Sequence, residues 1–181
     1  MQFLPDEVML KIVGYLPLSG VCSLASTCKK YRSLCSDLHV WKGLFAKRNL
    51  LMLEIAISFS SWLEVYYKTL SGKRGAKYVL SLHSKNHKRQ MDVIKPVLLY
   101  DLPPCVYRNI LDCFPKGFKG GMGREYLSLS KGKEFLCCVE NEEGQVLKDK
   151  IIDKKQAYDI LYRLFYCGKC RIAEFVYARW M

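Results

Sequence analysis

Cys167 and Cys170, in YCGKC, stand at the spacing from which a metal knuckle presents two thiolates. A structural zinc site needs four ligands, so only half a site is visible. The other half would come from His83 and His87 in HSKNH, one helical turn apart, or from Cys137 and Cys138. The interval between these pairs follows no recurrent zinc pattern. That favours packing or surface roles, and no metal is expected. A redox role for the same CxxC would want a strand running into a helix that starts at the first cysteine. Here the pair follows an inferred helix instead. GFKGGMGRE lacks the Gly-Lys-Ser/Thr ending of a phosphate-binding loop. With His39, His83 and His87 as the only histidines, no Ser-His-Asp or Cys-His spacing stands out. The chain is read as non-enzymatic, with no cofactor.

A different chemistry is offered by KRGAKYVLSLHSKNHKRQ. Lys73, Arg74, Lys77, Lys85, Lys88 and Arg89 could contact phosphates while Tyr78 stacks on a base, which makes nucleic acid one class of partner. The same residues suit an acidic protein, or simply the solvated face of a helix. The formal net charge of +12 leans toward acidic partners without naming one.

The elements that must position these residues follow from periodicity. Half the residues are hydrophobic and a quarter charged, a globular balance over a length that holds one ordinary domain or two small ones. Pro5, Asp6 and Glu7 interrupt any leader-like apolar run, and nine cysteines, an odd number at scattered apolar positions, fit a reducing compartment. A cytoplasmic or nuclear protein is expected. The run LLMLEIAISF is too short to span a bilayer and reads as a buried helix.

In FLPDEVMLKIVGYLP, Pro5 suits a first helical position, and Val8, Met9, Ile12, Val13 and Leu16 recur as one apolar stripe that Pro17 ends. Ser19 can cap a second helix with Val21, Leu24, Ala25 and Cys28 on its apolar face. Tyr31, Leu34, Cys35, Leu38, Trp41, Leu44 and Phe45 continue the pattern. Residues 49–70 read as further helix, with Ser61 and Glu64 as a capping box and Gly72 as a stop. After the glycine-rich loop at 115–125 the period changes to alternation. EYLSLS, KEFLCCVE and QVLKDKII read as an antiparallel three-stranded meander, and Asp153 with Gln156 as the cap of a helix, DKKQAYDILYRLFY. RIAEFVYARW fits helix or strand. The fold class is therefore α+β: an N-terminal three-helix module at 1–47, a partly basic helical region at 48–114, and a small α+β region at 115–181. The last two can form one domain.

Residues 3–45, FLPDEVMLKIVGYLPLSGVCSLASTCKKYRSLCSDLHVWKGLF, resemble an F-box nearly from end to end. Leu4-Pro5 resembles the family's opening, Val8, Ile12 and Leu16 its first helix, and Val21 and Leu24 its second. Thr27-Cys28-Lys29 resembles the family's centre, Tyr31-Arg32 and Leu34 the aromatic-basic pair with its leucine, and Asp37, Trp41 and Leu44 its closing spacing. The resemblance implies a three-helix module that docks on the Skp adaptor, and through it on a cullin, in a Skp-cullin-F-box ubiquitin ligase. The remainder of the chain would recruit a protein substrate. Leu4, Pro5, Val8, Ile12, Leu16, Val21, Leu24 and Trp41 are the docking set this implies, each open to serving the module's own core instead. A second stretch, DLPPCVYRNILDCFP, repeats the Leu-Pro start, with Leu102, Pro103, Val106 and Ile110 at the offsets of Leu4, Pro5, Val8 and Ile12. It lacks everything that should follow, and reads as an independent amphipathic helix.

Overall fold

A computed structural model describes residues 4–82, 91–112, 114, 124–131 and 134–171. The chain divides into two compact units, Met1–Leu70 and Ser71–Met181. Residues 48–114, grouped together by composition, are shared between them.

The first unit is helical: α1 (Asp6–Tyr15), α2 (Leu18–Thr27), α3 (Lys29–Leu34), α4 (Leu38–Lys47) and the first half of α5 (Phe59–Leu82). Its core gathers Val13, Val21, Ala25, Cys35, Val40, Trp41, Leu44 and Phe45 around Trp62, Val65 and Tyr66 of α5. Trp41 stacks on Trp62 with ring centroids 5.5 Å apart. Both indole N–H groups are satisfied, Trp41 Nε1 donating to the Cys35 carbonyl at 2.9 Å and Trp62 Nε1 to the Ser36 carbonyl at 3.0 Å.

Three local expectations are corrected here. Pro17, not Ser19, is the N-cap of α2, because an extended proline already presets the entry into the helix. Residues 50–58 are irregular rather than a buried helix. The cause is the end of α4. Asn49 takes the left-handed conformation (φ 49°), its N–H bonds the Ala46 carbonyl at 3.0 Å, and the Leu50 N–H bonds the Phe45 carbonyl at 2.9 Å. This is a Schellman stop, which turns the following apolar run out of helical continuation. Chain re-enters helix at Ser58, whose Oγ accepts the Ser61 N–H at 3.2 Å; Ser58 is the cap, and Glu64 pairs instead with Lys68 at 2.6 Å.

The second unit holds the rest of α5, the short strands β1 (Met91–Asp92) and β2 (Val97–Leu98), a 3₁₀ turn (Leu99–Asp101), α6 (Pro104–Leu111), the strands β3 (Tyr126–Lys131), β4 (Phe135–Glu140) and β5 (Val146–Ile152), and α7 (Lys154–Tyr166). The expected meander β3-β4-β5 is present and antiparallel throughout. Two strands more than expected join it, β1 and β2, each pairing with β3 over two residues. One face, with Leu127 opposite Val139 and Leu129 opposite Cys137, is buried. At the β4-β5 turn Asn141 Oδ1 accepts the Gln145 N–H at 2.8 Å, and Gly144 supplies φ 77°. Asp153 and Gln156 form the expected capping box of α7.

Gly72 does not stop α5. A Cβ at Gly72 would lie 2.8 Å from the Tyr162 carbonyl oxygen, and one at Gly75 would lie 2.5 Å from the Phe165 ring. These glycines serve the close approach of α7 to α5.

Candidate docking surface

Pro5 is the N-cap of α1 rather than its first helical residue, because its ψ of 145° (φ −53°) is extended, while Asp6 and Glu7 place negative charge on the helix's positive end. α1 is held down by few groups. Val13 is its one buried residue, Asp6 pairs with Lys30 of α3 at 2.8 Å, and Lys47 Nζ of α4 donates to the Gly14 carbonyl at 2.7 Å.

The apolar positions of α1 divide between two sides. Val13 lies in the core with Leu10 and Leu16 packed against it, and Met9 is half-buried. Leu4, Val8, Ile12 and Tyr15 remain exposed, at 53%, 41%, 44% and 85% of their surface. The spacing of four and three residues lines Val8, Ile12 and Tyr15 along one side of the helix, opposite Val13, and Leu4 lies just ahead of its N-cap. The single stripe expected of Val8, Met9, Ile12, Val13 and Leu16 is thus two faces, since apolar residues at adjacent positions cannot point the same way on a 3.6-residue turn.

The implied docking residues separate on the same basis. Leu4, Pro5, Val8 and Ile12 are exposed, Leu16 and Leu24 are half-buried, and Val21 and Trp41 lie in the unit's core with no surface to offer. Tyr15 was absent from the expected set. Its signal was the continued spacing 4, 8, 12, 15. A row of large exposed apolar side chains on a short helix has one evident chemical use, which is to be covered by a complementary apolar groove.

The other candidate residues do not converge in this way. Lys73, Arg74 and Lys77 lie on α5; Lys85, Lys88, Arg89, His83 and His87 lie outside the described residues, as does RIAEFVYARW beyond Arg171. Cys167 Sγ donates to the Arg163 carbonyl at 3.0 Å, closing the end of α7. Burial, and then the neighbouring Cys167, pushes the Cys170 thiol up to about 12, which holds it protonated at neutral pH. Among the described residues no three His, Cys, Asp or Glu side chains are grouped to hold a metal ion, and no helix is long and apolar enough to cross a membrane.

In comparison with known families, residues 1–47 match the F-box-like family model. The match ends with α4, at the helix whose Trp41 anchors the core.

Proposed function

From a chain that carries an F-box-like domain at its N-terminus we infer a substrate-recruiting adaptor. The N-terminal helices bind the Skp adaptor of a Skp-cullin-F-box ubiquitin ligase, and the second unit brings a protein substrate to it. The chain performs no catalysis itself in this role and works in the cytosol or nucleus. One observation carries the proposal: Leu4, Val8 and Ile12, which the family resemblance marks for docking, are the residues left exposed beside Tyr15, while the core is completed without them.

Magnitudes allow it. A large apolar side chain fully withdrawn from water contributes about 1.5–3 kcal/mol, so three or four half-exposed ones leave a useful surplus after the ordering costs of association. Helix-in-groove docking needs no more than such a set of anchors.

Removing residues 1–47 is a poor test, because Trp62 and Tyr66 of α5 would lose Trp41 and Phe45 and expose the core they share. Charge on the exposed side is cleaner. Val8→Glu with Ile12→Glu should reduce capture of the purified Skp adaptor about tenfold or more. The melting temperature should stay near that of the parent chain. Unchanged capture by this folded variant would overturn the assignment.

A further inference from the structure

The second half of α5 and the start of α7 enclose a groove of about 610 Å³, lined by Lys77, Leu80 and Ser81 from one helix and Lys154, Lys155 and Tyr158 from the other. Its surface is mostly apolar although three of the six described lining residues are lysines, so their aliphatic stems form much of the wall. None of the three lysines is in an ion pair with another described residue.

The charge is also placed against local preference. Lys154 and Lys155 open α7, at the positive end of the helix, where Asp153 caps the end but the first turn itself has no acidic residue. Lys131, at the end of β3, is near enough that its ammonium is held below the ordinary lysine range, by burial first and by the charge of Lys154 second. Positive charge is thus concentrated where a bound anion would relieve repulsion.

We propose that this groove docks an acidic peptide segment, with carboxylates on Lys77, Lys154 and Lys155 and an apolar side chain seated against Leu80 and Tyr158. A peptide fits better than a nucleic acid because the described walls are largely carbon, with a single aromatic ring among the described lining residues, whereas strand-tracking surfaces combine several stacking rings with a run of cations. That the bound segment belongs to a ligase substrate rests on the adaptor reading; the binding itself does not.

The test is fluorescence anisotropy on the full chain with a labelled eight-residue peptide alternating Glu and Leu. Its Gln-Leu counterpart and an eight-nucleotide oligothymidylate are run beside it. The Glu-Leu peptide should bind, and Lys154→Glu with Lys155→Glu should weaken it about tenfold or more, as expected when charge pairs at an interface are reversed. These substitutions put acidic residues where a helix N-terminus favours them, so α7 is retained. Lys29→Glu with Lys42→Glu, an equal charge change in the first unit, should leave binding near the parent value. The proposal is overturned if the parent chain fails to bind, if the groove variant binds like the parent, if both charge variants lose equally, if the Gln-Leu peptide binds as well, or if oligothymidylate binds more tightly. Capture of the Skp adaptor, measured on the parent chain and on the Lys154→Glu, Lys155→Glu variant, reports on the first unit and separates a failure of either reading from the other.

Discussion

Leu4, Val8 and Ile12 around α1 and Leu102, Val106 and Ile110 around α6 hold the same offsets from a Leu-Pro start, and they meet opposite environments. The first three are 53%, 41% and 44% exposed; the second three are 6%, 2% and 0% exposed. Backbone geometry does not account for the difference, since Pro5 (φ −53°, ψ 145°) and Pro103 (φ −55°, ψ 143°) launch their helices almost identically. What differs is the side each helix turns inward. α1 buries Val13, while at the corresponding position of α6 Leu111 stays half-buried and Val106 and Ile110 fill the core. A local pattern thus specifies a helix and its ends, and packing decides whether its apolar residues stabilise the fold or remain available to a partner.

The sharpest way to break this comparison is to truncate the matching isoleucines. Ile110→Ala should destabilise its unit by about 2–5 kcal/mol, the range for buried isoleucine. Ile12→Ala should cost under about 1 kcal/mol, as expected for a half-exposed site. Equal losses in denaturant titrations would remove the distinction. Binding should rank the pair in reverse: the Val8→Glu, Ile12→Glu chain loses its adaptor by about tenfold or more while keeping its fold. Next in size is Gly75→Ala. Overpacking against Phe165 costs about 1–3 kcal/mol and outweighs the gain in helix propensity of about 1 kcal/mol. A rise in melting temperature would show that α7 stands further from α5 than described.

At neutral pH the last effect is silent, and it emerges only in alkali, in the unit that contains α6. The folded-state pKa of Cys170 is raised from 9.0 to about 12, so the stability linked to its protonated form is complete below about pH 9 and lost as pH rises toward 12. Comparing the parent chain with Cys170→Ala across that window should show a steeper decline for the parent. Parallel curves would mean that the thiol is not shielded.

Much of this architecture was legible where one residue type answers one local need. Asp153 with Gln156, and Pro17 after α1, each behave as their chemistry requires. Two of the misreadings share a cause, which is a residue with more than one competent role. Asn49 is an ordinary surface residue until it adopts φ 49° and ends α4, and Gly72 is a natural stop until a second helix needs its bare Cα. The docking face was partly legible for a different reason. Val8 and Ile12 stand out by spacing, but which of two adjacent apolar residues faces inward depends on Trp41, Trp62 and Tyr66, which come from elsewhere in the chain. β1 and β2 were beyond reach, because two residues are too few to establish a period.

The shallow anchoring of α1 has a kinetic corollary. With Val13 its sole buried residue, this helix should open without the rest of the unit, and its amide protons should exchange with solvent sooner than those of α4, which buries Val40, Trp41, Leu44 and Phe45. A partner seated on Leu4, Val8, Ile12 and Tyr15 would close that opening, so protection confined to α1 is the signature by which its arrival could be timed.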